Sequence, residues 1–184
     1  MRYVDTAELT LQERGMLATT AAATYFDELS RGGRRLVTAE QPTLRTQTKH
    51  YSSRGMIWQV SWKDSGQPLP GWFDATMQGI VDALSLPVKW DSYEAKKIER
   101  AFASKAFDLL ERLLLPSSPA PRVVPLASGG LQLEWHRAGV DIEVIFEPSE
   151  PVTFYHRNRS SGEEGDYELP QNLERLRTLV RGLH

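Results

Sequence analysis

Cysteine is absent from this chain of 184 residues. Its absence excludes disulfide bonds, thiolate metal sites and a cysteine nucleophile, and it fits a reducing compartment. The chain also lacks an apolar run long enough to span a bilayer. Residues 1–5 lack the apolar core of a signal peptide. We therefore expect a cytoplasmic protein, or one delivered by a phage or mobile element, with no membrane association.

Neither sign of charge dominates the composition. The chain has 22 Lys and Arg against 24 Asp and Glu, a net charge of −2, so nothing draws it as a whole to nucleic acid or to an anionic membrane. It contains no phosphate-binding loop, dinucleotide fingerprint, nucleophile elbow or HExxH motif. We therefore expect no cofactor, no resident metal and no catalytic residue. The length suits one sizeable domain or two small ones that share a core.

What the chain does contain is a strict alternation of apolar and polar residues between 131 and 147. Such alternation predicts a β-hairpin with one apolar and one polar face, and Ala138-Gly139 supplies its two-residue turn. Trp135 then belongs to the buried face and Glu134 to the exposed one. The same register places His136 opposite Asp141 and Glu134 opposite Glu143.

The polar face of this hairpin, formed by Glu134, His136, Asp141 and Glu143, is a candidate partner or metal surface. Two glutamates directly opposite one another destabilise a sheet, so something should offset them. A divalent cation would do so, as would an arginine such as Arg157 or one from a partner, and water and salt could screen the repulsion. A restriction-type nuclease site would need a lysine at position 145, which is isoleucine, so this class is not favoured.

The other elements follow from apolar spacing and from turn residues. We predict a helix from the Thr10–Glu13 capping box to about residue 30, a hairpin of strands 43–51 and 56–63, and a helix over 74–84. A longer helix over 95–115 should bury Ile98, Phe102, Ala106, Leu109 and Leu113. Then come strands at 122–126 and 152–156, a polar loop at 160–165, and a helix over 169–183. This order predicts an α+β fold in which an antiparallel sheet packs on helices in two layers. We divide the chain into units 1–85 and 86–184, with the option of one shared core.

Residues 31–54 carry six basic side chains and one acidic one. Clustered arginine and lysine neutralise phosphates, and nearby aromatic rings offer stacking surfaces to bases. Residues 31–62 are therefore a candidate nucleic-acid interface. Its basic members are Arg34, Arg35, Arg45, Lys49 and Arg54, and its aromatic members are Tyr51, Trp58 and Trp62. The alternative is a loop with solvated arginines, with the tryptophans facing the core.

Trp90-Asp91-Ser92-Tyr93 precedes the long predicted helix. An exposed Trp and Tyr here would form a binding patch, because aromatic residues anchor interfaces. The preferred interpretation is structural: Asp91 or Ser92 caps a helical turn while Trp90 and Tyr93 pack on the sheet.

Three strings carry a resemblance: Trp90-Asp91-Ser92-Tyr93, Gly129-Gly130-Leu131-Gln132-Leu133-Glu134-Trp135-His136, and Gly139-Val140-Asp141-Ile142-Glu143. Over about residues 86 to 147 the chain resembles an uncharacterised family of small bacterial and phage-associated proteins. It has Glu94 and Lys97 where the family pattern has glycine and proline. The resemblance implies a fold more than an activity.

Together these observations lead us to expect a non-catalytic protein-binding or assembly module. The resemblance places it among accessory components of bacterial defence, toxin–antitoxin or phage-related systems. The alternative is a nucleic-acid-binding accessory protein that uses residues 31–62. A third class is a metal-dependent hydrolase centred on the acidic hairpin face.

Overall fold

The structure is a computed structural model that describes residues 6–10, 45–64 and 68–183. The described part contains eight strands and three helices. In chain order they are β1 (Thr6–Thr10), β2 (Arg45–Ser53), β3 (Met56–Asp64), α1 (Phe73–Leu84), α2 (Arg100–Leu113), β4 (Arg122–Pro125), β5 (Leu131–Arg137), β6 (Val140–Phe146), β7 (Thr153–Asn158), β8 (Glu164–Glu168) and α3 (Leu173–Arg181). The helix predicted to follow Thr10 lies outside the described residues, and Thr10 itself ends β1.

The first sheet has the order β1-β3-β2. β2 and β3 form the predicted antiparallel hairpin, and β1 runs parallel to β3. Arg54 and Gly55 make the two-residue turn with φ values of 48° and 80°, a left-handed pair that matches the twist of a tight hairpin. Alternation along β3 buries Trp58, Val60 and Trp62 on one face, so the tryptophans face the core, as in the alternative interpretation of this segment.

The second sheet has five antiparallel strands in the order β4-β5-β6-β7-β8. The register of β5 with β6 is the predicted one: Trp135 pairs with Ile142, and Glu134 with Glu143. Trp135 is 3% exposed, so the assignment of the apolar face is confirmed. The polar loop predicted at 160–165 is wrong at its end, because β8 begins at Glu164. With the helices packed on these sheets, the predicted α+β class is confirmed.

The long helix differs from its prediction at both its start and its buried stripe. Residues 95–99 are not helical, because the Lys96 and Glu99 amides donate to the carbonyls of Ala127 and Gly129, at 2.9 and 3.0 Å. The helix therefore begins at Arg100. Its buried residues are Phe102, Ala103, Ala106, Phe107, Leu110 and Leu113, while the predicted Leu109 is only half-buried.

One cluster of buried side chains runs through both predicted units of the chain. It includes Trp58 and Trp62 of β3 as well as Leu133 and Trp135 of β5. No helix in the part of the chain that the structure describes is long and apolar enough to cross a membrane.

The Gly129-Gly130 pair joins β4 to β5 under tight steric control. A Cβ on Gly130 would lie 2.0 Å from the backbone carbonyl oxygen of Phe146, and Gly129 has a φ of +94°. Only glycine fits at position 130, and position 129 is strained for any other residue. The fold therefore requires glycine at both positions of the connection between β4 and β5.

Candidate functional site

The polar face of the β5–β6 hairpin is organised around Asp141. Its carboxylate accepts hydrogen bonds from Arg159 Nε at 3.0 Å, Arg159 Nη2 at 3.1 Å and His136 Nδ1 at 2.9 Å. Arg159 lies just beyond β7, and its side chain reaches Asp141 on the neighbouring strand β6. The Asp141 side chain is 12% exposed, so the aspartate is covered by its own partners.

The two glutamates that face each other are held by a shared donor. Gln132 Nε2 donates to Glu134 Oε1 at 2.9 Å and to Glu143 Oε2 at 3.0 Å. His136 Nε2 lies 3.4 Å from Glu134 Oε2. An arginine does lie beside Glu134, but it is Arg122, with 4.0 Å between its Nη1 and Glu134 Oε2. The arginine named in the prediction, Arg157, pairs instead with Glu164 at 3.8 Å. Glu134 is also not the exposed residue expected from alternation, since its side chain is only 13% exposed.

The electrostatics of this network follow from its geometry. The hydrogen bond to Asp141 and the nearby Glu134 raise the pKa of His136, although burial opposes them. The bonds from His136 and Arg159 lower the pKa of Asp141. Ionised carboxylates only accept hydrogen bonds, so two of them beside one imidazole favour its protonated form. Both ring nitrogens of His136 face carboxylate oxygens of the fold.

The arrangement is also a poor cation site. Within residues 6–10, 45–64 and 68–183, no group of three or more His, Asp or Glu side chains is placed to hold a metal ion. The oxygens of Asp141 are already engaged by Arg159 and His136, and a cation would have to displace them. The hairpin face thus forms a closed ion-pair network.

The structure separates the members of the predicted basic interface. Arg34 and Arg35 lie outside the described residues, and Arg45 and Arg54 are exposed at opposite ends of the β2–β3 hairpin. Lys49 is paired with Asp74 on α1, with 2.6 Å between its Nζ and each carboxylate oxygen. The basic members that the structure describes therefore do not form one surface.

The aromatic members of that interface face inward. Trp58 is 2% exposed: its Nε1 donates to Ser85 Oγ at 2.8 Å, and the Arg100 guanidinium covers its ring. Trp62 is likewise buried. The Tyr51 hydroxyl donates to Asp74 Oδ1 at 2.9 Å, and burial together with this carboxylate raises the pKa of the phenol. These three rings offer no stacking surface to a base.

The segment from Pro87 to Glu94, here called the display loop, carries large hydrophobic side chains that are exposed to solvent. Tyr93 is 78% exposed and Val88 is 65% exposed, the two highest values among the large hydrophobic residues of the described chain. The expectation that Tyr93 packs on the sheet is therefore wrong. Asp91 caps backbone amides as expected, but of the loop itself: Oδ1 accepts from the Tyr93 amide at 2.8 Å and from the Ala95 amide at 3.1 Å.

Further bonds close the display loop on itself. The Lys89 amide donates to the Ala95 carbonyl at 2.7 Å, and the Ser92 amide donates to the Lys89 carbonyl at 3.0 Å. Lys89 Nζ also pairs with Glu94 at 3.2 Å. Lys89 and Ser92 both adopt left-handed φ values, 60° and 69°. Such residues cost roughly 1–3 kcal/mol each and persist where surrounding contacts hold them. Internal hydrogen bonds therefore hold the display loop in one defined conformation, with the Tyr93 ring on its outer side.

The chain matches no protein-family model, no curated protein and no solved structure. The resemblance noted over residues 86 to 147 therefore stays a prediction.

Proposed function

We propose that this protein is a non-catalytic protein-binding module that engages its partner through the display loop. The observation that carries the proposal is Tyr93, whose ring is 78% exposed at the end of a hydrogen-bonded loop. Its phenol makes no hydrogen bond to any described residue. Tyrosine is enriched among the residues that dominate binding energy at interfaces.

The internal bonds of the loop support the same function. Association costs free energy when side chains and loops must be ordered, and a loop already held in one conformation avoids much of that cost. Lys89 and Ser92 adopt left-handed backbone conformations, and both side chains are exposed. Backbone strain of this kind clusters at binding and catalytic sites.

The non-catalytic part of the proposal rests on the hairpin network. Catalytic acids and bases need a free atom that can reach a substrate. His136 instead binds Asp141 and Glu134, and Asp141 also binds Arg159. The shifted pKa values of His136 and Asp141 follow from ion pairing within the fold, which perturbs pKa values without implying catalysis.

Site-specific photo-crosslinking tests this proposal. A benzophenone amino acid replaces Tyr93 in one variant and the exposed Ser117, in the loop after α2, in a matched control. In lysate of the native host, the variant at position 93 should give one adduct of defined mass that the control lacks. Excess unlabelled wild-type protein should suppress this adduct, and excess Tyr93→Ala protein should not.

Two results would contradict the proposal. One is the same set of adducts from both positions, which would indicate random collision. The other is equal suppression by wild-type and Tyr93→Ala competitors, which would show that the phenol contributes nothing to binding. The Tyr93→Ala protein should retain its stability, because exposed substitutions usually change it by less than about 0.5 kcal/mol.

A further inference from the structure

An apolar groove lies between α2 and the segments that flank the end of the second sheet. Its volume is about 300 Å³. Leu109 of α2 forms one wall, and the opposite side is formed by Phe146, Val152, Leu169 and Leu173. Ligand pockets in proteins span roughly 300–1,000 Å³, so this groove suits a small ligand rather than a large cofactor.

Three charged side chains of α2 line the same groove: Lys105, Asp108 and Arg112. They are spaced i, i+3 and i+7, so they lie on one side of the helix. Asp108 could pair with either cation at this spacing. No ion pair forms between them in the part of the chain that the structure describes, and Lys105 Nζ instead lies 5.3 Å from the centre of the Phe102 ring.

The groove therefore presents both signs of charge beside apolar walls. Arg112 and Asp108 are exposed, so a ligand can reach them. Partial removal from water raises the pKa of Asp108, and Arg112 opposes the effect. A carboxylate in such surroundings gains from a cationic partner that replaces the lost water. Arg112 offers a planar fork that fits a carboxylate.

We propose that this groove binds a free apolar α-amino acid. Its carboxylate meets Arg112, its ammonium group meets Asp108, and its side chain lies against Leu109, Val152 and Leu173. A zwitterion gives both Arg112 and Asp108 a partner, whereas an apolar acid leaves Asp108 without one and an apolar amine leaves Arg112 without one; Lys105 lies over the Phe102 ring in each case. The groove volume of about 300 Å³ is enough for the side chain of such an amino acid.

Isothermal titration calorimetry on the full chain tests the proposal with L-phenylalanine and L-leucine. N-acetyl-L-phenylalanine lacks the ammonium group, L-phenylalaninamide lacks the carboxylate, and L-serine lacks the apolar side chain. Each of these three should bind about tenfold more weakly than L-phenylalanine or worse, the range expected for one lost charge-assisted hydrogen bond or a lost apolar contact. A ligand-dependent rise in melting temperature should follow the same order.

Matched variants locate the site. Asp108→Asn should weaken L-phenylalanine about tenfold and leave N-acetyl-L-phenylalanine unchanged, and Arg112→Gln should remove the preference over the amide. Asp82→Asn makes the same change at an exposed position of α1 and should bind as wild type. The proposal is overturned if no amino acid binds at millimolar concentration. It is also overturned if the acetylated ligand binds equally well, or if Asp82→Asn loses as much affinity as Asp108→Asn.

Discussion

Replacing Asp141 with asparagine removes the charge at the centre of the hairpin network while keeping the shape of the side chain. Three charge-assisted hydrogen bonds are weakened, two from Arg159 and one from His136. Bonds to charged groups contribute about 1.5–3 kcal/mol each when shielded, and exposed ion pairs only about 0.2–1 kcal/mol. Arg159 is 64% exposed and His136 45% exposed, so the lower range applies to both. We therefore expect Asp141→Asn to lose roughly 1–2 kcal/mol of unfolding free energy near neutral pH.

The pKa shifts of His136 and Asp141 determine whether the free energy of unfolding rises or falls with pH. The pKa of His136 is raised in the folded state, so its contribution is fully present below the unfolded value of 6.5 and is lost as pH rises through the folded pKa. The pKa of Asp141 is lowered, so its contribution is present above 3.8 and is lost as pH falls through the folded pKa. These two groups together favour maximal stability between these two values, in mildly acidic solution.

Urea unfolding followed by tryptophan fluorescence, repeated from mildly acidic to mildly alkaline pH, measures this directly, because urea does not screen ion pairs as a guanidinium salt does. Wild-type stability should fall as pH rises past the folded pKa of His136, and Asp141→Asn should flatten that fall. NMR titration of the His136 ring should show its pKa moving back toward 6.5 in the variant. Asp166→Asn changes the same charge on the same sheet and serves as the control. Equal pH profiles for wild type and Asp141→Asn would refute the network as described.

Three further substitutions test the fold. Trp135→Ala should cost about 3–5 kcal/mol in a urea titration, since the ring is 3% exposed and its Nε1 donates to Pro119 O; a cost under about 1 kcal/mol would contradict that burial. Phe102→Asp places an unpaired charge in the core and should prevent folding, so a soluble variant with an unchanged melting temperature would show that α2 faces outward. Gly130→Ala would press a methyl group into Phe146 O, and we expect loss of the native near-UV circular dichroism, whereas a native spectrum would mean that the backbone can yield there.

The β5–β6 hairpin could be predicted to the residue because two independent signals agree. Alternation fixes which face each side chain occupies, and the Ala138-Gly139 turn fixes the register. The structure has both, with φ values of 52° and 77° at the turn. The opposition of Glu134 and Glu143 followed directly from this register.

The partners that offset this opposition left no comparable signal in the sequence. Arg159 lies beyond the end of β7 and reaches Asp141 on β6 only because β7 folds back beside β6. Alternation puts Gln132 on the same face as Glu134, but its role as a shared donor depends on how its side chain lies between Glu134 and Glu143. Contacts of this kind depend on tertiary geometry and not on spacing.

The structure differs from the sequence prediction at β8 and at residues 95–99, because hydrogen bonds to neighbouring segments outweigh the local sequence pattern there. β8 has Tyr167 as its one large apolar residue, and its pairing with β7 makes it a strand. Residues 95–99 fit a helical stripe through Ile98, but hydrogen bonds to the loop before β5 keep them out of the helix. Tyr93 was assigned to packing because aromatic residues are usually buried, and only the observed loop shows the ring outside.

The edge strand β8 has a consequence for how copies of this protein meet. It pairs with β7 on one side, and the described residues place no strand on the other. Glu164, Asp166 and Glu168 are exposed along it. Charged side chains on an edge strand repel the edge strand of a second copy and so prevent the two sheets from pairing edge to edge. Because carboxylates lose their charge below a pH of about 4, this protection fades in acid. Light scattering should therefore detect self-association at low pH, and replacing these acidic residues with threonine should bring its onset toward neutral pH.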